Sequence, residues 1–161
     1  MTLYHGSMSI VQRPDVSFGR DKLDFGKGFY TTKLQQQAER WVQRFLRLKK
    51  RAYVNSYEFN DANLSSAYRY KVFPAYDEEW LDYIIACRSG SEIFRQYDVV
   101  EGGVANDRIF NTIELYLEGL IDKQAALAKL KYEKPNNQIC FISQELVDRR
   151  LTFINYYEVK L

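Results

Sequence analysis

Histidine, cysteine and proline are scarce in this chain of 161 residues, which contains one His, two Cys and three Pro. One His and two distant Cys do not provide a set of ligands with the spacing of a zinc site, so we expect no metal centre. Cys87 and Cys140 stand in apolar stretches and are predicted to be buried thiols of a reducing compartment. No apolar run approaches the roughly 20 residues that a membrane-spanning helix needs.

An excess of charge of either sign is also missing, because 23 Lys and Arg residues are balanced by 21 Asp and Glu residues. The net charge of +2 indicates neither a nucleic-acid-binding protein nor a membrane-surface protein. The first residues do not show a basic segment followed by an apolar one, so we expect no signal peptide. The sequence therefore predicts a cytoplasmic protein without membrane partners.

Aromatic residues, by contrast, are abundant and reach 16% of the chain, with 13 Tyr and ten Phe. They favour a sheet-containing fold, because these rings pack well on pleated surfaces. The length indicates one domain over residues 1–161. Strands and helices follow one another without regular alternation, which favours the α+β class.

The hydrophobic pattern predicts seven strands and five helices. The predicted strands are Thr2–His5, Gly28–Thr32, Ala52–Asn60, Ala67–Phe73, Tyr97–Val100, Gln138–Ile142 and Phe153–Val159. The predicted helices are Lys33–Lys50, Asp77–Arg88, Asp107–Leu120, Asp122–Tyr132 and Gln144–Arg149. In the first helix, one face with helical spacing is predicted to point inward, and Thr32 is its predicted N-cap. The residues of that face are Leu34, Ala38, Trp41, Phe45 and Leu48.

Two glycine-containing segments are the candidates for chemistry. The first strand ends in His5, Gly6 and Ser7, which combine the only imidazole with a glycine that admits a ligand close to the backbone and a small hydroxyl. A single His is more often structural than catalytic, but these neighbours favour a functional role. In the run from Asp24 to Thr32, two glycines precede an aromatic strand. This run is either a hairpin turn with Tyr30 in the core or a stacking surface for a planar ligand.

The two segments resemble the poly(ADP-ribose) polymerase and diphtheria-toxin-like branch of the ADP-ribosyltransferase superfamily, whose signature is His, Tyr and Glu on three separate strands. His5 matches the first position and Tyr30 the second, and Trp41 stands at the offset where the family often has another aromatic residue. The resemblance covers about the first 50 residues well and the rest only in the order of elements. It implies split antiparallel β-sheets with flanking helices. The chain is also similar to an uncharacterised bacterial family of small ADP-ribosyltransferase-like domains near toxin–antitoxin and phage-defence genes.

The resemblance implies NAD as co-substrate and gives roles to individual residues. His5 would bind the adenosine-side ribose, and the Gly6 backbone would bind the nicotinamide carboxamide. Tyr30 and Trp41 would enclose the nicotinamide ring, although core packing is an equal alternative for Trp41. A hydroxyl from Thr31 or Thr32 would assist. The complete predicted NAD-binding set is His5, Gly6, Ser7, Gly28, Tyr30, Thr32 and Trp41.

The third signature position departs from the family, because Gln138 stands where the family has its Glu. Gln can hydrogen-bond a ribose hydroxyl but offers no carboxylate to a developing positive charge. The loss argues against polymer synthesis and for transfer of a single ADP-ribose. Asp107 or Glu101 is predicted to provide the missing carboxylate, unless Asn106 or Asp107 only caps the helix that follows.

The predicted function is thus mono-ADP-ribosyl transfer from NAD to a protein or nucleic acid, with His5, Tyr30, Gln138 and Asp107 as the catalytic set. A toxin with a cognate antitoxin protein as partner is one form of this prediction. The alternatives are NAD hydrolysis and non-catalytic binding of NAD, ADP-ribose or a partner. A stripe of Arg40, Arg44, Arg47 and Arg51 on the first helix is either a solvated face or a binding surface for phosphates, nucleic acid or an acidic antitoxin.

Overall fold

Seven strands and six α-helices make up the computed structural model, which describes residues 1–161. The strands are β1 (Thr2–Ser7), β2 (Phe29–Thr32), β3 (Ala52–Phe59), β4 (Tyr70–Val72), β5 (Val99–Gly103), β6 (Asn137–Phe141) and β7 (Leu151–Val159). The helices are α1 (Gln35–Arg47), α2 (Leu64–Ala67), α3 (Glu78–Arg88), α4 (Asp107–Leu117), α5 (Lys123–Leu130) and α6 (Gln144–Arg150). Short 3-10 helices lie at Val16–Phe18 and Ile93–Gln96. The predicted α+β class is confirmed.

All strands belong to one sheet with the order β4-β5-β6-β2-β1-β3-β7. Neighbouring strands are antiparallel except β4 and β5, which run parallel. The parallel pair differs from the antiparallel arrangement implied by the resemblance. It arises because α3 carries the chain back across the sheet between the two strands, which a hairpin connection cannot do.

The sheet is nearly divided in its middle, between β1 and β2. These strands pair only at Tyr4 and Thr32, whereas β1 pairs with β3 along its whole length from Thr2 to Ser7. On the other side, β2 pairs with β6 through every residue from Phe29 to Thr32. The two halves are therefore joined at one point, and the strands diverge beyond it. We call this gap the split.

The helices pack on the sheet through separate hydrophobic clusters. An aromatic cluster with Trp80, Ile84, Ile109 and Ile113 packs α3, α4 and α5 over one face of β5 and β6. The opposite face is covered by a second cluster, which includes Leu3, Tyr57, Phe59, Phe141 and Leu146. None of the helices is both long and apolar enough to span a membrane.

Helix α1 lies over β1 and β3, and its packing corrects two predictions. Its first residue is Gln35, after Leu34, so Thr32 is not the N-cap, although the Thr32 hydroxyl accepts the Leu34 N–H at 3.1 Å. Only Ala38 and Val42 are buried on α1. The predicted inward residues Leu34, Trp41 and Leu48 are 51, 49 and 65% exposed. Phe45 packs inward as predicted, but beside Gly6 the helix lies so close to the backbone of β1 that only small residues fit there.

Candidate functional site

The three strands that carry the signature positions are neighbours, in the order β6, β2 and β1. Thr32 of β2 lies opposite both Tyr4 of β1 and Gln138 of β6. His5 and Tyr30 follow immediately on the side where β1 and β2 diverge. Tyr30 and Thr32 are about 7 Å apart along the strand, since a strand rises by roughly 3.3 Å per residue. His5, Tyr30 and Gln138 therefore border the split, with the side chains of Tyr30 and Gln138 on the Tyr4 face of the sheet and that of His5 on the Phe29 face.

The His5 side chain crosses the split, and its tautomer follows from one hydrogen bond. Its Nδ1 lies 2.7 Å from the carbonyl oxygen of Tyr30, which can only accept, so Nδ1–H is the donor. Burial lowers the pKa of His5, which favours the neutral ring. The ring also rests on Phe29, with centroids 4.3 Å apart. Nε2 is thus a bare acceptor with no partner in the protein, suited to a ligand hydroxyl.

The phenol of Tyr30, by contrast, is held inside the protein. Its hydroxyl donates to the Gly26 carbonyl at 2.5 Å and accepts the Phe25 N–H at 3.0 Å. Burial is the main cause that raises its pKa well above the ordinary value for tyrosine, and the nearby Cys140 contributes. The ring packs against the aromatic cluster under α3. The structure therefore supports the hairpin-and-core interpretation of this segment.

Gln138 contributes the least satisfied polar atom at the split. Its amide nitrogen Nε2 is buried and has no hydrogen-bond partner. The residue stands between Thr32 of β2 and Gly102 of β5. A buried amide without a partner costs about 1–3 kcal/mol. An acceptor on a bound ligand would remove this cost.

Trp41 and Gly6 meet at the beginning of the split. A Cβ atom on Gly6 would lie 2.6 Å from Val42 Cγ1 and 3.2 Å from Trp41 Cδ1, so only glycine lets α1 approach β1 this closely. Trp41 stays 49% exposed, with the Arg44 guanidinium 4.0 Å from its ring centroid. Core packing is therefore not the role of Trp41. The indole lies against Gly6, whereas the Tyr30 ring packs against the aromatic cluster under α3.

The remaining predicted binding groups are occupied within the protein. A Cβ on Gly28 would lie 2.6 Å from both Cys140 Sγ and the Phe141 carbonyl oxygen, so this glycine is required by packing. The Thr31 hydroxyl donates to the Ile139 carbonyl, and that of Thr32 donates to Gln37 Oε1 at 2.7 Å. The Ser7 hydroxyl accepts the Ser9 N–H at 3.2 Å in the turn after β1.

The two predicted carboxylates belong to α4 and β5, and neither element borders the split between β1 and β2. Asn106 is the N-cap of α4 and accepts the Ile109 N–H, whereas Asp107 is exposed in the first turn without a hydrogen bond or ion pair. Glu101 is buried at 6% exposure and forms an ion pair with Lys33 at 2.8 Å. Its side chain is on the Ile139 face of the sheet, opposite that of Gln138, because Glu101 pairs with Ile139 in β6.

A groove of about 620 Å³ opens beside the split, at the beginning of α1. Its polar lining includes Tyr4, Lys33, Gln36, Arg40 and Asn136. The volume is in the range of small-ligand sites, and the N-terminus of a 13-residue helix favours anions such as phosphates. No group of three or more His, Cys, Asp or Glu residues could hold a metal ion.

Sequence reasoning missed Asn55, which fixes the end of β1. This fully buried amide donates to the carbonyls of His5 and Ser9 and accepts the Val11 N–H at 2.9 Å. It thereby ties the backbone of His5 to the loop that follows. The sequence contained a signal for this role, because Asn55 interrupts the apolar start of β3. A polar side chain in a buried strand needs hydrogen-bond partners inside the protein.

The fold and the site define an α+β protein with a polar cleft at a split in its central sheet. The chain matches the family model "Protein of unknown function (DUF3990)" over residues 1–153. It therefore belongs to the DUF3990 family. No curated protein and no solved structure matches it.

Proposed function

We propose that this chain transfers a single ADP-ribose from NAD to a macromolecular acceptor, either a protein or a nucleic acid. The observation that carries the proposal is the buried Nε2 of Gln138, which has no hydrogen-bond partner. Gln138 is on β6, next to the strand β2 that carries Tyr30. A buried donor without a partner calls for an explanation, and a ligand that accepts its hydrogen bond provides one. The resemblance to ADP-ribosyltransferases, carried by His5 and Tyr30, gives the ligand.

Each group at the split has a specific task in this proposal. Neutral His5 accepts a ribose hydroxyl through Nε2 while its Nδ1–H stays on the Tyr30 carbonyl. Gln138 donates to the nicotinamide-side ribose through the free amide hydrogens of Nε2. The Cδ1 edge of Trp41, next to Gly6, bounds the place of the nicotinamide. The groove at the beginning of α1 receives the phosphates.

The reaction is a substitution at the anomeric carbon C1′ of the nicotinamide-side ribose. The bond between C1′ and the nicotinamide nitrogen breaks, and its electron pair leaves with neutral nicotinamide. An oxygen or nitrogen of the acceptor uses its lone pair to form the new bond to C1′ and then loses its proton to solvent. The protein accelerates this step by holding the ribose, excluding water and aligning the acceptor.

Because Gln138 offers no carboxylate, it favours a second candidate function, which is non-catalytic binding of NAD or ADP-ribose. Glu101 is paired with Lys33 on the face opposite Gln138, and Asp107 is exposed in the first turn of α4, so neither predicted carboxylate stands beside the Gln138 amide. NAD hydrolysis is a third outcome, in which water takes the place of the acceptor. The products separate the three functions.

The test is incubation of the purified protein with labelled NAD and cell lysate, followed by separation of protein, nucleic acid and small molecules. His5→Asn is the sharpest variant, because the Asn amide reaches the Nδ1 position and can keep the bond to Tyr30 but has no atom at Nε2. We expect label on one macromolecular fraction, at least tenfold weaker in this variant, although the variant stays folded. Equal labelling by His5→Asn would refute the site.

Gln138→Leu gives an independent test, with Gln124→Leu on the exposed side of α5 as its control. Removing an unsatisfied buried amide leaves the stability equal or higher, whereas the loss of a ligand contact weakens transfer. Gln138→Glu restores the family's carboxylate and is expected to raise the transfer rate. Free labelled ADP-ribose as the only product would mean hydrolysis, and saturable binding with intact NAD would mean a binding domain.

A further inference from the structure

The positive charge of the chain is concentrated on one segment. Residues 40–51 contain six cations and no carboxylate, and the remaining residues contain 17 cations against 21 carboxylates. The near-neutral total therefore conceals a basic region. We call the exposed cations Arg40, Arg44, Arg47, Lys49 and Lys50 the α1 basic surface. Arg51 is left out because it bonds the Tyr53 hydroxyl and faces Glu158.

No carboxylate of the protein neutralises the α1 basic surface. None of its five side chains takes part in an ion pair, although Lys and Arg residues elsewhere, such as Arg69, Arg88 and Lys123, do. The only acidic residue of α1 is Glu39, and its carboxylate accepts a hydrogen bond from Tyr157 on the β7 side of the helix. The surface is thus an uncompensated positive field in solvent.

The length of the α1 basic surface indicates a polymer rather than a single dinucleotide. Its arginines recur at intervals of four and three residues and so lie on one side of the helix. From Arg40 to Arg47 they extend over about 10 Å, at 1.5 Å per residue. Lys49 and Lys50 continue the line beyond the end of α1. Two adjacent phosphates of one NAD molecule cannot contact all of these groups.

An exposed aromatic ring borders the α1 basic surface. Trp41 is 49% exposed, and Arg44 stacks on it with 4.0 Å between the guanidinium carbon and the ring centroid. Unpaired nucleobases stack on such rings, at about 1–3 kcal/mol per base. Bases inside a duplex do not have free faces for stacking, and an acidic protein gains little from this ring. Arginines together with an accessible indole therefore favour single-stranded nucleic acid.

We infer that the α1 basic surface binds single-stranded nucleic acid, with its phosphates on the cations and one base on Trp41. The Cδ1 atom of Trp41 lies only 3.2 Å from where a Cβ of Gly6 would be, so the bound strand reaches the beginning of the split. A role of this strand as the acceptor of ADP-ribose rests on the proposed function. Binding itself does not, and it is measured without NAD.

The experiment is fluorescence anisotropy of a labelled 20-nucleotide single strand, titrated with the full chain at several salt concentrations. The test variant is Arg40→Gln/Arg44→Gln/Arg47→Gln. The control variant Arg95→Gln/Lys129→Gln/Lys131→Gln removes the same charge from other exposed positions. We expect a loss of at least tenfold in affinity for the first variant only. The slope of log K against log salt should fall by about 2, since each single-strand phosphate contact contributes about 0.7.

Two further variants separate binding from folding. Trp41→Leu removes the stacking ring and is expected to weaken binding severalfold. In the wild type, quenching of tryptophan fluorescence by the strand should come from Trp41, because Trp80 is fully buried. Lys49 has a φ of 57°, a conformation that favours glycine, so Lys49→Gly should raise the melting temperature and still lower the affinity.

The inference is overturned if the two triple variants bind equally, or if the wild type does not bind the strand. Tighter binding of a hairpin duplex or of polyglutamate would also overturn it, in favour of a duplex or an acidic protein partner. Failure of NAD turnover in the presence of strand binding would contradict only the proposed function.

Discussion

The two strands that flank the split use their polar groups in opposite ways. On the β2 side, the hydroxyls of Tyr30, Thr31 and Thr32 all bond to other groups of the protein. On the β1 side, His5 keeps Nε2 free and the neighbouring Trp41 stays half exposed. We conclude that β2 is a rigid scaffold and that β1 with α1 provides the surface for ligands. The comparison predicts different costs for equivalent substitutions on the two sides.

The largest effect is expected for Tyr30→Ala. This change removes a ring from the aromatic cluster and leaves Phe25 N–H and Gly26 C=O without their partner, so we expect a loss of about 3–5 kcal/mol in unfolding free energy. Tyr30→Phe loses only the two hydrogen bonds, at about 1–3 kcal/mol. Urea denaturation measures both, with Trp41→Ala as the control on the β1 side, expected near 0.5 kcal/mol. If Tyr30→Ala were as stable as Trp41→Ala, the scaffold role of β2 would be wrong.

A smaller difference is expected between Gly28→Ala and Gly6→Ala. The new Cβ at Gly28 meets the Phe141 carbonyl oxygen and Cys140 Sγ at 2.6 Å, which forces β2 and β6 apart. At Gly6 the closest atom is the side-chain methyl Val42 Cγ1, also at 2.6 Å, which can move. We expect Gly28→Ala to cost about 3 kcal/mol and Gly6→Ala about 1 kcal/mol.

A double mutant checks the origin of the smaller cost. Combining Gly6→Ala with Val42→Ala removes the closest clash, so the two substitutions should cost less together than the sum of the two single changes. Strict additivity would indicate that the Ala38 carbonyl oxygen, 2.9 Å from the new Cβ, determines the penalty at Gly6. A larger cost at Gly6 than at Gly28 would reverse the comparison of the two strands.

Periodicity was sufficient for most of the fold, because apolar patterns determine which segments must be buried. All seven strands and the five longest helices occur where the pattern predicts them. The pattern did not reveal α2, which ends at Ala67. The strand predicted over Ala67–Phe73 is therefore shorter in the structure and covers Tyr70–Val72. The inward face that the pattern predicted for α1 is right at Ala38 and Phe45 but wrong at the exposed Leu34, Trp41 and Leu48. Large apolar residues usually determine that face, but the close approach of α1 to Gly6 is filled by the small residues Ala38 and Val42.

The sequence predicted which residues border the candidate site, but not which of their atoms are available to a ligand. His5 and Gln138 lie around the split as their positions in the motif require, but a motif does not reveal which atoms the protein itself uses. The Tyr30 hydroxyl and the Gly28 position are occupied by contacts with the loop and with β6, which are distant in sequence. The opposite orientation of Glu101 depends on its pairing register with Ile139, which composition does not determine.

The pH response of His5 sharpens the comparison on the β1 side. Because burial lowers its pKa below the ordinary 6.5, the unfolded chain binds the proton more tightly than the folded chain does. The contribution of neutral His5 to the unfolding free energy is therefore complete above pH 6.5. It is lost as the pH falls from 6.5 through the pKa of His5 in the folded chain. His5 is the only histidine, so a proton NMR titration of its Cε1–H is unambiguous. A midpoint at or above 6.5 would contradict a buried neutral ring.

The smallest expected effect concerns the two thiols, which report on the β2 side. Burial raises the pKa of Cys87 to about 12, and burial also raises the pKa of Cys140. Since the thiolate is the reactive form, iodoacetamide at pH 8 should leave both unmodified in the folded chain and alkylate both in urea, as mass spectrometry would show. Cys140 lies behind Gly28, so it reacts only if β2 separates from β6. Rapid alkylation of Cys140 at unchanged helicity would mean that β2 opens in the native state, and the scaffold would then be as mobile as the ligand-binding side.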